Sequence, residues 1–227
     1  MADTPLAPRA APAPLATAQA TSVTAWLLAG GEGRRMQGRD KGLQPWRGQA
    51  LAAWVLARLA PPQAIGITAN RHADSYRALL GRCPLVAQQG IPLAVPGGVL
   101  PDDADLPERS GPLAGMLTAL RHSHTEWVLV LPCDTPRLPT DLLPRLLAAA
   151  QAAQADIAVP VTGDGRHPHW VCALMRKRVA PQLLQAFVNG ERKVGRWTQT
   201  QAWVGVCFAP ETAFQNMNTL ETLHDRD

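Results

Sequence analysis

The chain has 227 residues and a formal net charge of +4, from 22 basic and 18 acidic side chains, and 46 % of its residues are apolar. That length suits one α/β domain with a substantial core, and so mild a charge suits a patch for an anionic ligand better than a genome-binding surface. An aromatic content of 5 % is lean for stacking bases in series, so a nucleic-acid partner is not expected.

Residues 1–22 are rich in Ala, Pro and Thr. They lack a basic n-region and an uninterrupted apolar h-region, which excludes a secretory signal, and their prolines predict a disordered tail. No apolar run reaches the roughly 20 residues that span a bilayer, so no membrane is expected. The four cysteines, Cys83, Cys133, Cys172 and Cys207, lie far apart without a Cys-x-x-Cys pair. This speaks against a zinc ribbon and for reduced thiols in a cytoplasmic protein. The rest, 23–227, reads as one domain.

Val23 to Leu28 is an apolar run with a β-branched start, which predicts a buried strand. It ends in Ala29-Gly30-Gly31-Glu32-Gly33, followed by Arg34, Arg35, Arg39 and Lys41. Glycines let backbone N–H groups approach a ligand closely, and oriented amides beside fixed cations make an anion site. The natural anion is a polyphosphate. The glycine spacing matches neither a Walker A loop nor the dinucleotide fingerprint Gly-x-Gly-x-x-Gly.

Leu51, Val55, Leu56 and Leu59 then share a helical face, stopped by Pro61-Pro62. Ala64 to Thr68 reads as a second strand leading to Asn70-Arg71-His72, and Ser75 to Leu80 as a helix. This rhythm predicts βαβ units in a mostly parallel sheet, with ligands at the carboxyl ends of its strands. Residues 88–110 read as irregular loop, because Gly and Pro recur throughout, and they carry Asp102, Asp103 and Asp105. Pro112 opens a helix with Leu113, Met116, Leu117 and Leu120 on one face. Trp127 to Leu131 is an apolar strand ending in Pro132-Cys133-Asp134-Thr135-Pro136, and Thr140 with Asp141 opens the next helix. A carboxylate there, across from a triphosphate loop, is suited to hold Mg²⁺, which prefers few carboxylates, several waters and phosphate oxygens. Cys133 reads as a small buried residue, not a nucleophile.

Ile157 to Pro160 and Val171 to Leu174 read as strands flanking a turn with His167-Pro168-His169. Val179, Leu183, Leu184 and Phe187 mark a helix ending at Asn189-Gly190. The basic pair Arg192-Lys193 suits an anionic phosphate or a solvated face equally. Ala202 to Phe208 reads as an edge strand, and Asn218 with Glu221 as a capping box.

Leu-Ala-Gly-Gly-x-Gly-x-Arg-Met followed by Asp-Lys-Gly-Leu resembles the opening signature of the molybdenum cofactor guanylyltransferases. The resemblance spans roughly 23–223, and its most specific parts are this loop and Pro132-Cys133-Asp134. It implies a three-layer, Rossmann-like, glycosyltransferase-A-like α/β fold, with a GTP-binding N-terminal half and a molybdopterin-binding C-terminal half. The implied reaction transfers GMP from GTP to the terminal phosphate of Mo-molybdopterin, with Mg²⁺ as cofactor. Implied nucleotide contacts are Leu28, Ala29, Gly30, Gly31, Lys41 and Asp134, the last also the metal ligand, with Arg35 and Lys41 offsetting phosphate charge.

In the family an Asn ends the second strand; here Thr68 stands there, with Asn70 two residues on. An Asp precedes Gly-Pro-Leu-Ala-Gly, here Gly111 to Gly115; counting from Val99-Leu100 favours Asp102, whereas counting back from Gly111 lands on Ala104, beside Asp103. Asp-Gly-x-x-x-His-Pro is echoed by Asp164, Gly165, His167 and Pro168, which favours an acceptor-lining loop over a metal site. Arg192, Lys193, Asn216 and Asn218 complete the implied acceptor side. Partners expected from the resemblance are other molybdenum cofactor biosynthesis proteins and molybdoenzyme apoproteins or their chaperones. The cytidylyl relatives tend to Ala-Ala-Gly where this chain has Ala29-Gly30-Gly31, which favours guanine. The rival readings are a cytidylyltransferase or other nucleotidyltransferase, or a non-catalytic GTP-binding delivery protein.

Overall fold

A strand of apolar residues pairs on both sides only if both of its faces are covered, and Val23–Leu28 (β1) meets that condition. Val23, Ala25 and Leu27 enter one hydrophobic cluster, while Trp26 enters a second on the opposite face. The computed structural model describes residues 22–29, 39–106, 111–163 and 165–217. The expected tail, apart from Ser22, lies outside the described residues, as do Gly30, Gly31, Arg34, Arg35, Asp164, Asn218 and Glu221.

The strands that follow are the hairpin Pro45–Trp46 (β2) and Gln49–Ala50 (β3), then Ala64–Thr68 (β4), Val99–Leu100 (β5), Trp127–Pro132 (β6), Ile157–Thr162 (β7), His167–Pro168 (β8), Ala173–Arg176 (β9) and Trp203–Cys207 (β10). The main sheet runs β10-β7-β9-β6-β1-β4-β5, with β8 added to β7. Parallel pairing joins β1 to β4 and β6, β4 to β5, and β7 to β10. Two strands run against the rest: β9 is antiparallel to β6 and β7, and β8 to β7.

The helices are Leu51–Ala57 (α1), Ala73–Arg82 (α2), Pro84–Ala87 (α3), Pro112–His122 (α4), Leu142–Ala152 (α5), Ala180–Val188 (α6) and Val194–Thr198 (α7). Apolar residues of α1, α2 and α5 pack on the first cluster, and those of α4, α6 and α7 on the second, which makes three layers. Helix α4 starts at Pro112 after Gly111, whose φ of 72° excludes most side chains, and α6 runs out at Gly190 with φ 89°.

The differences from expectation have local causes. The stretch 88–110 does contribute a strand: β5 is two residues long, too short for an alternating pattern to show, and joins the sheet by pairing Ile67 with Val99 and Thr68 with Leu100. The strand expected over Val171–Leu174 begins at Ala173 and extends to Arg176, and its antiparallel direction follows from the turn at 169–172, where Cys172 N–H donates to the His169 carbonyl. Asp141 precedes α5 without capping it; its carboxylate faces Arg145 at 3.5 Å instead.

The strand order reverses at β1. From it the chain moves outward to β4 and β5, then returns to lay β6 on the other side. Such a switch point leaves a crevice at the carboxyl ends of the two central strands, here Leu28 and Pro132, which stand in register.

Candidate active site

Three strand ends meet at the crevice. Ala29 N–H donates to the Thr68 carbonyl at 2.8 Å and Cys133 N–H to the Leu28 carbonyl at 3.3 Å, so the exits of β4, β1 and β6 are tied side by side. The chain leaving β6 turns at once: the Thr135 hydroxyl donates to the Pro132 carbonyl at 3.2 Å, and Met217 N–H donates to the Asp134 carbonyl at 2.9 Å. Asp134 is therefore fixed by its own turn and by the C-terminal segment.

Asp134 is 7 % exposed, and Lys41 Nζ donates to its Oδ2 at 3.4 Å. Burial pushes the Asp134 carboxyl above its ordinary value, and the Lys41 ammonium acts in the opposite direction. Among the described residues no three His, Cys, Asp or Glu side chains come together to hold a metal. One acidic donor that leaves most ligand positions to phosphate oxygens and water is the donor set magnesium favours, so the residues present fit that ion. Cys133 beside it is buried, and that burial pushes its thiol well above the usual range, which makes it packing rather than a nucleophile.

A second group assembles on the other flank of β1. The Asn70 amide donates to Asp102 Oδ2 at 2.8 Å while Asp102 N–H donates to Asn70 Oδ1 at 2.8 Å, a reciprocal pair across the ends of β4 and β5. Gly115 on α4 looks into the same corner: a Cβ there would lie 3.1 Å from Thr68 Oγ1, 3.3 Å from Leu28 Cδ2 and 3.5 Å from Asp102 Oδ1. Leu28, Thr68, Asn70 and Asp102 are thus brought together, with both Thr68 and Asn70 at one corner. Burial raises the Asp102 carboxyl above 3.8, with Asn70 opposing and Asp103 adding to the rise.

Asp103 does not join them. Its Oδ2 accepts from Arg121 at 2.8 Å, its Oδ1 lies 2.8 Å from His122 Nε2, and its N–H donates to the Thr118 hydroxyl. Both oxygens hold the loop on α4, an arrangement that counting residues could not foresee. Gly115, named above only as the end of Gly-Pro-Leu-Ala-Gly, faces this corner, and its signal in the sequence is a glycine inside an amphipathic helix, where a larger apolar residue would ordinarily pack.

The residues expected to face the acceptor are arranged more loosely. Asn216 precedes Met217 and so stands beside the Asp134 turn, exposed. His167 Nδ1 is 2.9 Å from Glu211 Oε1, and His169 Nε2 is 2.9 Å from the Thr162 hydroxyl with its ring stacked on Phe214. The two histidines face different partners. Arg192 and Lys193 sit in the α6–α7 turn, where Arg192 donates to the Phe187 and Glu191 carbonyls and the Lys193 N–H to Glu191 Oε1. None of these contacts reaches Asp134.

Residues 25–204 match the model of the MobA-like NTP transferase domain. A molybdenum cofactor guanylyltransferase of Burkholderia vietnamiensis is 43 % identical over 206 residues, covering 89 % of this chain and 94 % of its own. The enzyme of that name from Cupriavidus metallidurans is 39 % identical, covering 89 % and 93 %. Among solved structures, the molybdopterin-guanine dinucleotide biosynthesis protein A of Archaeoglobus fulgidus superposes with a TM-score of 0.65 at 23 % identity, covering 88 % of this chain and 94 % of that one.

Proposed function

Since the chain belongs to the MobA-like NTP transferase family, we propose that it transfers GMP from GTP to the terminal phosphate of Mo-molybdopterin, forming molybdopterin guanine dinucleotide and releasing pyrophosphate. The relatives that carry the guanylyltransferase name match nearly nine-tenths of the chain at about 40 % identity. The observation that supports the reading most is the Lys41–Asp134 pair at the switch point, at the mouth of the strand that leads into Gly30-Gly31.

The reaction joins two polyanions. An oxygen of the acceptor phosphate attacks the α-phosphorus of GTP, the bond from that phosphorus to the β-phosphate oxygen breaks, and pyrophosphate leaves with the electron pair. The attacking oxygen is already anionic, so the protein supplies neither a nucleophile nor a general base. Its task is to align the reactants and offset their charge. The main chain of Leu28, Ala29, Gly30 and Gly31 cradles the nucleotide, and Arg35 and Lys41 offset charge on its phosphates. Asp102, supported by Asn70 and Thr68, presents an acceptor to the N–H donors of guanine, while Gly115 leaves the room the base needs. His167, Asn216, Asn218 and the Arg192-Lys193 turn line the acceptor side.

Mg²⁺ would be held by Asp134 together with phosphate oxygens and water, and when bound it supplies charge neutralisation and a template for the two phosphates. We place the reaction in the cytoplasm, with the product passing to molybdoenzyme apoproteins or their chaperones. Among the described residues no helix is long and apolar enough to cross a membrane.

Asp134→Ala tests the reading. Its melting curve is expected to remain cooperative and near that of the parent, while pyrophosphate release in magnesium falls by roughly a hundredfold or more. Substantial retained turnover would remove Asp134 from the mechanism.

A further inference from the structure

Lys41 is flanked by two residues whose positions are set from the core. Asp40 is 6 % exposed, and its Oδ1 accepts both the Tyr76 hydroxyl at 2.5 Å and the Gly42 N–H at 3.1 Å. Its carbonyl accepts from Gln44 Nε2 at 2.8 Å, and the Gly42 carbonyl accepts from Ala52 N–H at 2.9 Å. Tyr76 is fully buried on α2. Burial above all, then Cys133 and Asp40, raise its hydroxyl far beyond the tyrosine range, so it remains the donor in this bond. A Cβ at Gly42 would come 2.4 Å from Tyr76 Oη and 3.1 Å from Cys133 Cβ, so helix α2, the Asp40–Gly42 bend and the turn carrying Asp134 close around one point.

Filling this space asks only for an aromatic ring. Yet the chain places its single tyrosine here, and the hydroxyl reaches the residue next to Lys41. We propose that Tyr76, acting through Asp40, is a positioning residue that fixes the backbone on either side of Lys41 and so aims its ammonium at Asp134 and at the nucleotide phosphates. The proposal rests on the reading of Lys41 given above. Tyr76 touches neither substrate nor metal in this scheme; it limits the directions the lysine can take, which a flexible four-carbon stem would otherwise leave open.

A double-mutant cycle separates positioning from mere packing. The affinity for GTP in the presence of Mg²⁺ is measured by calorimetry for the parent, Tyr76→Phe, Lys41→Ala and the double variant. Tyr76→Phe keeps the ring in the core and is expected to bind GTP roughly tenfold more weakly. In the Lys41→Ala background the same change is expected to cost nothing further. Gly42→Ala, which drives a methyl into the Tyr76 hydroxyl, gives a second route: it should weaken binding in the parent and not in the absence of Lys41. Losses that multiply in the double variants, or Tyr76→Phe binding as tightly as the parent, would overturn the positioning role while leaving Lys41 in place. If Lys41→Ala alone bound GTP like the parent, the reading of Lys41 would fail and the positioning role with it.

Discussion

Asp102 and Asp103 are neighbours in sequence with opposite fates, and the difference is made by what each oxygen touches. Asp103 spends both on Arg121 and His122, whereas Asp102 receives one side-chain amide from Asn70 and stays within 3.5 Å of the space above Gly115. Its raised carboxyl value gives a pH prediction with a definite sign. The ionised carboxylate is the stronger acceptor, and burial makes Asp102 take up its proton more readily than an ordinary carboxylate does. The affinity for GTP should therefore begin to fall on acidification earlier than an ordinary carboxylate would allow. Asp102→Asn should bind GTP roughly tenfold to a hundredfold more weakly at neutral pH and lose that acid limb. Calorimetric titration of both proteins across the acid range checks this; an unchanged limb in the variant would assign it to another group. Because a buried charge is a cost that the amide does not carry, the variant should melt no lower than the parent at neutral pH.

Among the elements, β1 shows how closely the two central strands are fitted. Trp26 is fully buried, its indole N–H donates to the Ser123 hydroxyl at 2.9 Å, and its ring covers Gly66 of β4, the residue it faces in register. A Cβ at Gly66 would stand 2.6 Å from the ring. Gly66→Ala is expected to cost about 1–3 kcal/mol through overpacking, and to lower the melting temperature by roughly 2 °C or more. Thermal unfolding decides it, and an unaltered midpoint would mean that the strand can shift without penalty. Elements of this kind were legible in the chain. The apolar runs of β1, β4 and β6, the Pro112 start of α4 and the glycine stop of α6 each carry a local physical signal. The direction of β9 and the existence of β5 were not legible, because a reversed strand has the same alternation as a parallel one and a two-residue strand has none. The site divides similarly. A carboxylate after an apolar strand, or glycines after another, announces itself; the turning of Asp103 toward α4 and of Gly115 toward the Asp102 corner depends on which way a loop and a helix face, and this emerges only when the elements are packed.

On the scale of the whole molecule, the reversal of strand order at β1 decides where chemistry is possible. It opens one crevice, and the chain delivers to it residues separated by more than a hundred positions: Leu28, Lys41, Thr68, Asn70, Asp102, Asp134 and, through Met217, the segment carrying Asn216. Under the proposed function the flank with Asp102 and Gly115 takes the base and the flank with Lys41 and Asp134 the phosphates, so that the nucleotide would lie across the ends of β1 and its neighbours. On the same reading the acceptor would enter from the side of β6 and the C-terminal segment. The preference for guanine rests on the Ala29-Gly30-Gly31 resemblance and on the guanylyltransferase relatives, and the proposed contact to Asp102 gives it a physical form. Pyrophosphate release and dinucleotide product, measured with GTP, CTP and ATP each supplied with Mo-molybdopterin and Mg²⁺, test it most directly. The account predicts turnover with GTP and the guanine dinucleotide as product; faster turnover with CTP or ATP, or GTP binding without pyrophosphate release, would contradict it.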